Sequence, residues 1–349
     1  MSESQTSESD FSEPDFCETD PFEPGSPAST NSGHVLPPQA YDVVSDLWQR
    51  GVQAVLAFVM VAVAAAMVRY YTPAAPSGPA EDLQRQVHQL TQQVQQLRQD
   101  QAMPALVLNR YRNSIGYIYG VYQVGFPNQH PSIRARVSGT GFLVGEKLLT
   151  TNRHVAEPWY GDTDAQELLH QGATATLESL VVFFPGSPTA LNLKPAAVST
   201  TVDLAVLRIE DGSALRGLAV LPLAKSAASA GELVTVIGYP MGIAGMVAKS
   251  PPGIYERMAY RHNDITAASE LAALSLIRPS ATFGHLGDIV GDKLIYDAPT
   301  AHGGSGGPVF DSKGEVIGVN SAYIDGFSGG TLGVSVDALR PLVAAAEKR

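Results

Sequence analysis

The chain has 349 residues, 44% of them hydrophobic, which is enough for one large or two modest domains with real cores. Of its net charge of -11, eight units lie in residues 1–23, which hold Glu3, Glu8, Asp10, Glu13, Asp15, Glu18, Asp20 and Glu23 and no Lys or Arg. The rest shows no basic stripe that could track phosphates, which disfavours nucleic-acid binding.

Residues 1–46 are rich in Ser, Glu, Asp and Pro and too poor in apolar side chains to offset the entropy of ordering, so they read as a disordered acidic tail. The single cysteine, Cys17, lies there, and no intramolecular disulfide can form. Residues 51–68 carry no charge and are bracketed by Arg50 and Arg69. As a helix they would reach about 27 Å, close to the apolar thickness of a bilayer. Trp48, Tyr70 and Tyr71 suit its two interfaces. The expectation is a transmembrane helix over 47–71. A cleaved signal peptide fits less well behind a long acidic tail, and a buried soluble helix would need companions. The flanking cations, Arg50 on one side and Arg69 and Arg85 on the other, leave the orientation open.

A Pro/Ala/Ser/Gly linker follows at 72–80. Leu83, Val87, Leu90, Val94 and Leu97 then alternate at spacings of four and three, the seam of a short coiled coil over 81–103 through which the chain could form a homo-oligomer. An amphipathic helix lying on a neighbouring domain is the other reading, and Pro104 should end the helix in either case.

From residue 107 onward, short apolar or alternating runs separated by Gly, Pro and Asn predict strands. They fall at 115–124, 135–144, 147–151, 180–184, 196–199 and 204–209. A second set follows at 233–237, 281–289, 294–298, 308–310, 316–319 and 330–336. Residues 243–280 are too long for a hairpin and hold a predicted helix at 264–276 capped by Asp264. The chain closes on a predicted helix at 337–348, capped by Asp337, with Pro341 near its first turn.

Among these elements lies Ala301-His302-Gly303-Gly304-Ser305-Gly306-Gly307-Pro308-Val309. A serine framed by glycines suits a nucleophile whose backbone must turn tightly and approach a substrate carbonyl closely. The amides of Gly303 and Ser305 could converge as an oxyanion hole. A flexible Gly/Ser loop is the plainer reading.

Two further stretches carry a resemblance. Ser138-Gly139-Thr140-Gly141-Phe142 leads into Thr150-Thr151-Asn152-Arg153-His154-Val155, and Thr201-Val202-Asp203-Leu204-Ala205-Val206 lies between these and Ser305. From about residue 111 to 349 the chain resembles the chymotrypsin-like serine proteases, most closely the bacterial HtrA/Deg-like branch. The resemblance implies an all-β fold of two six-stranded antiparallel barrels, one over 107–223 with His154 and Asp203 and one over 224–349 with Ser305. His154 would be the general base, Asp203 its orienter and Ser305 the nucleophile. Arg153 stands where that family more often has a small residue.

The resemblance further implies a substrate pocket lined by Pro299, Thr300, Asn320, Ser321, Ala322, Tyr323, Leu332, Gly333 and Val334. It has no Asp at its base and would accept a small or medium apolar side chain. The strand edge at 321–323 would pair with extended polypeptide substrates. No PDZ domain is expected after the last helix. Residues 243–280 would form either a regulatory lid over the oxyanion hole or a plain surface insertion. No cofactor is implied, and His34, His88, His130, His170, His262 and His285 lack ligand spacing, so no metal is expected. The expected protein is a membrane-anchored serine endopeptidase, exported across a bacterial inner membrane to the periplasm and acting in quality control or regulated proteolysis. A catalytically silent peptide-binding membrane scaffold of the same fold is the alternative.

Overall fold

The computed structural model describes residues 43–71, 79–212, 215–258, 265–323 and 330–348. Most of the expected acidic tail, with Cys17, lies outside them, as does most of the expected linker. The chain divides into two compact units, 1–80 and 81–349. The first holds α1 (Val43–Tyr71), whose segment Arg50–Tyr71 has a mean hydropathy of 2.4 and is long and apolar enough to cross a membrane.

In the second unit α2 (Pro79–Tyr111) continues through Pro104, contrary to expectation. A proline inside a helix loses a hydrogen bond and meets the carbonyl four residues back, at a cost of about 3 kcal/mol. Packing offsets this. Val107 and Tyr111 are buried, Met103 and Leu108 pack beside them, and the Tyr111 ring stacks on Phe310 at 5.6 Å. The upper part of the helix differs. Leu83, Val87, Leu90, Val94 and Leu97 are each at least 46% exposed.

Twelve strands close into two barrels. The first comprises β1 (Ile115–Gly125), β2 (Ile133–Leu143), β3 (Leu148–Thr151), β4 (Thr174–Phe183), β5 (Leu191–Val198) and β6 (Ala205–Ile209), in the order β1-β2-β3-β6-β5-β4. The second comprises β7 (Leu233–Gly238), β8 (Ser280–Val290), β9 (Lys293–Tyr296), β10 (Pro308–Phe310), β11 (Val316–Tyr323) and β12 (Thr331–Ser335), in the order β10-β11-β12-β9-β8-β7. All neighbours are antiparallel.

The two-residue period of a strand sorts its side chains between cores. On β1, Ile118 joins the cluster inside the first barrel with Leu149 and Leu207, while Tyr117 and Tyr119 turn outward. On β7, Val234 and Val236 fill the second barrel with Leu286 and Tyr296, while Ile237 and, just past the strand, Tyr239 face the other way. The outward residues of both barrels meet in one larger cluster. That shared core holds the cleft in register.

Beside the barrels lie α3 (Arg153–Ala156), α4 (Thr163–His170) and, between β7 and β8, α5 (Gly242–Ala248), α6 (Pro252–Met258) and α7 (Ile265–Ala273). The 243–280 segment therefore holds more helix than the one expected. It is also no surface decoration, since Ile243, Met246, Val247, Ala267, Ala268, Leu271 and Ala272 are buried in the inter-barrel cluster. Asp264, the expected cap of α7, lies outside the described residues. The last helix, α8 (Val336–Glu347), is capped by Ser335, whose hydroxyl accepts the Asp337 amide at 3.2 Å. Asp337 is thus in the first turn rather than the cap, and Pro341 falls in the second.

Candidate active site

β3 ends at Thr151, and the short turn α3 carries His154 to the inter-barrel cleft. Asn152, just before that turn, is buried and donates its side-chain amide to the Asp203 carbonyl at 2.8 Å. The Asp203 carboxylate answers with both oxygens. Oδ1 accepts the His154 backbone amide at 3.0 Å and Oδ2 meets Nδ1 of its ring at 2.8 Å. A carboxylate opposite Nδ1 keeps the proton there and leaves Nε2 with a free lone pair, which is the base-competent tautomer.

The loop before Asp203 is set by Ser199, whose hydroxyl accepts the Val202 amide at 3.1 Å. Arg153 ties that loop to the histidine turn. It donates to the Ser199 carbonyl at 3.2 Å, pairs with Glu157 at 2.9 Å and lies over the Tyr160 ring at 4.1 Å. Burial pushes the Asp203 carboxyl up, but the hydrogen bond and charge of His154, the Ser321 hydroxyl and the His154 amide outweigh it. The group is held below its ordinary value.

Ser305 sits between β9 and β10 in a loop turned by Gly303 (φ 87°) and Gly306 (φ 88°), a backbone region that side chains rarely adopt. A Cβ on Gly306 would lie 2.0 Å from the Thr140 carbonyl oxygen, so only glycine fits this close approach. Thr140, on β2 of the other barrel, grips the loop twice. Its amide donates to the Ser305 carbonyl at 2.8 Å and its hydroxyl to the Gly303 carbonyl at 2.7 Å.

Both peptides that could supply oxyanion donors are pinned by their carbonyls. The His302 carbonyl accepts the Met241 amide at 2.6 Å, and the Gly304 carbonyl accepts Asn320 Nδ2 at 2.8 Å and the Gly307 amide at 3.1 Å. In a planar trans peptide the N–H points opposite to the C=O. The Gly303 and Ser305 amides are thereby turned away from these anchors, and neither donates to another group among the described residues.

Residues 154, 203 and 305 come together through Ser321. Its hydroxyl donates to Asp203 Oδ2 at 2.6 Å, and its carbonyl accepts the Ser305 hydroxyl at 2.9 Å. The resemblance places Ser321 in the substrate pocket and on its strand edge, not beside Asp203. Thr140 stands inside a Gly-Thr-Gly stretch and Met241 inside the turn Tyr239-Pro240-Met241-Gly242, but nothing in the sequence marks Tyr296.

The other expected pocket residues are distributed differently. Pro299 is exposed, Thr300 and Leu332 are half-buried, and Gly333 packs so closely on Tyr296 that a Cβ would lie 3.1 Å from its ring. Val334 is buried in the cluster shared with Val319, Leu339 and Val343. Asn320 is 1% exposed, with its side chain turned inward. Ala322 and Tyr323 pair with Leu332 and Thr331 of β12, and their side chains lie outside what is described. Among the described residues β10 pairs with β11 only at 316–319, so the edge at 321–323 is unpaired on that side.

Two closed barrels with a His–Asp pair and a glycine-framed serine at their junction define the chymotrypsin-like class of protein. The chain belongs to the trypsin-like peptidase domain family, which it matches over residues 139–319, just over half its length. It is 28% identical over 210 residues to a probable periplasmic serine endoprotease, DegP-like, of Rhizobium meliloti (strain 1021), covering 60% of this chain and 32% of that protein. A protein of the same description from Chlamydia pneumoniae is 30% identical over 215 residues, covering 60% and 34%. The chain spans about a third of the length of these curated relatives. The crystal structure of a serine endoprotease from Yersinia pestis aligns with a TM-score of 0.45 at 18% identity, over 70% of this chain and 66% of that one.

Proposed function

We propose that the chain is a membrane-anchored serine endopeptidase. The observation that carries this reading is the convergence of His154, Asp203, Ser305 and Ser321, from separate strands and loops, within one chain of hydrogen bonds. His154 Nε2 takes the Ser305 proton as Oγ attacks a peptide carbonyl, and the oxyanion is met by the Gly303 and Ser305 amides. The protonated imidazole then gives its proton to the leaving amine. Water, activated by the same nitrogen, releases the acyl group and restores Ser305. Asp203 fixes the tautomer and stabilises the imidazolium.

The Ser305 hydroxyl rests on the Ser321 carbonyl, so the first step is a rotation about its χ1 that carries Oγ to the imidazole. Extended polypeptide pairs along 321–323, and a small or medium apolar side chain occupies the pocket beside Thr300 and Leu332. Unfolded or regulated protein segments are the fitting substrates. The trypsin-like family and the DegP-like relatives support this chemistry. The periplasmic description of those relatives, with α1 as anchor, supports a bacterial inner-membrane protein whose barrels face the periplasm. The exposed Leu83, Val87, Leu90, Val94 and Leu97 stripe supports self-association of the full chain.

The test is covalent labelling of the full chain in detergent by a fluorophosphonate. Labelling and peptide hydrolysis should both be present in the native chain and absent from Ser305→Ala. A native chain that neither labels nor cleaves would return the reading to a silent peptide-binding scaffold.

A further inference from the structure

The resemblance puts Asn320 in the wall of the substrate pocket, yet its side chain makes three hydrogen bonds inside the protein. Nδ2 donates to the Gly304 carbonyl at 2.8 Å and to Thr300 Oγ1 at 3.2 Å, while Oδ1 accepts the Tyr296 hydroxyl at 2.7 Å. The orientation of this amide is forced. A carbonyl can only accept, so Nδ2 must face Gly304, and Oδ1 must then face Tyr296. Tyr296 is fully buried among the apolar side chains of the second barrel. Its hydroxyl keeps its proton because burial raises its pKa well above the ordinary value.

The backbone of Asn320 joins in. Its amide donates to the Gly307 carbonyl at 2.8 Å and its carbonyl accepts the Gly306 amide at 2.7 Å. One residue of β11 thus holds the nucleophile loop on both sides of Ser305.

Gly304 is the reason such a hold is needed. Without a Cβ on Gly304, rotation of the peptide joining it to Ser305 meets less steric resistance on the Gly304 side. Rotation would replace the Ser305 N–H in the oxyanion hole by a carbonyl oxygen, which repels the charge that develops there. We infer that Asn320, oriented by Tyr296, is a positioning residue that keeps the Ser305 amide aimed into the oxyanion hole. This deepens the proposed endopeptidase reading and rests on it.

The test compares Asn320→Asp and Tyr296→Phe with the native full chain. In Asn320→Asp a carboxylate faces the Gly304 carbonyl and repels it, leaving only the Gly307 amide at 3.1 Å to hold that peptide. Loss of one oxyanion donor lowers kcat by roughly 10²–10³-fold, so kcat should fall by that order while KM stays near its native value. A protonated carboxyl can donate to that carbonyl again. The variant-to-native ratio of kcat should therefore climb as pH falls, a recovery that mere loss of packing would not give.

Tyr296→Phe leaves the barrel filled and frees Oδ1, together with the longer contact to the Leu332 carbonyl at 3.5 Å. It should lower kcat by roughly fivefold, the worth of one neutral hydrogen bond, with KM little changed. Affinity for a peptide aldehyde, which forms an oxyanion on Ser305, should fall in step with kcat in both variants, and affinity for the matching peptide alcohol should not.

If the losses appear in KM, or if the ratio for Asn320→Asp is independent of pH, Asn320 is a pocket or core residue and the inference fails. Should Asn320→Asp not fold, an unchanged kcat in folded Tyr296→Phe overturns it by itself. A native chain that neither cleaves peptide nor accepts the fluorophosphonate removes the endopeptidase reading and this inference with it, whereas an active native chain with the wrong variant pattern removes only the inference.

Discussion

The Ser321 hydroxyl donates to Asp203 Oδ2 at 2.6 Å, so a strand of the second barrel helps hold the acid that the first barrel supplies. Hydrogen bonds to charged groups are worth about 1.5–3 kcal/mol. Ser321→Ala should therefore lower kcat by roughly 10- to 100-fold. KM should change little, because the backbone carbonyl of residue 321 remains in place for substrate. Ser321→Thr should retain most of the activity, and steady-state hydrolysis of a chromogenic peptide distinguishes the two.

The same carboxylate gives a pH signature. Asp203 is held below the usual carboxylate value when folded, against about 3.9 in the unfolded chain. As pH falls the unfolded chain binds the proton first, so Asp203 contributes fully above that unfolded value and loses its contribution as pH falls through the depressed one. Denaturant unfolding of the native chain and of Asp203→Asn should therefore differ most near neutrality. The gap should close below about pH 4.

Gly306 has no room for a side chain and a φ of 88°. Gly306→Ala combines backbone strain with collision against the Thr140 carbonyl, and should destabilise the barrels by about 3 kcal/mol or more. A lowered denaturation midpoint with an unchanged slope would match this. A native midpoint would show that the loop has slack the structure does not reveal.

Tyr111 and Leu90 lie on one helix in opposite surroundings. Tyr111 is 4% exposed and stacked on Phe310, and Tyr111→Ala should cost about 3–5 kcal/mol. Leu90 is 59% exposed, and Leu90→Ala should leave unfolding within about 0.5 kcal/mol of native. Sedimentation of the detergent-solubilised chain should show the converse, with Leu90→Ala weakening self-association.

The glycine-framed serine and the histidine turn were legible because their backbone needs are written in residue type, as Gly303 and Gly306 show. Most strands were legible from runs such as Leu204 to Ile209. The first halves of β4 and β5 were not. Residues 174–179 hold one strongly apolar side chain, Leu177, among small and polar ones, and the alternation of Leu191 and Leu193 with Asn192 and Lys194 is cut short by Pro195. Their pairing with distant strands, not their composition, makes them strands.

The run of α2 through Pro104 was hidden for a similar reason, since Phe310, against which Tyr111 stacks, lies far along the chain. The helix α5 was masked by its glycines and by Met241, whose φ of 62° is unusual for a side-chain-bearing residue. Asn320 looked like a pocket residue because a polar side chain on a strand near the nucleophile has two faces to choose from. Only the Tyr296 and Gly304 partners decide which it takes.

Thr140 joins the nucleophile loop of one barrel to a strand of the other, and this has a consequence for synthesis. In chain order the last strand of the first barrel ends at Ile209, well before Ser305. The serine cannot take up its working geometry until the second barrel has closed against the first. On the endopeptidase reading, hydrolytic competence would therefore wait for the second barrel, and the growing polypeptide would be spared from cutting itself or its neighbours until then.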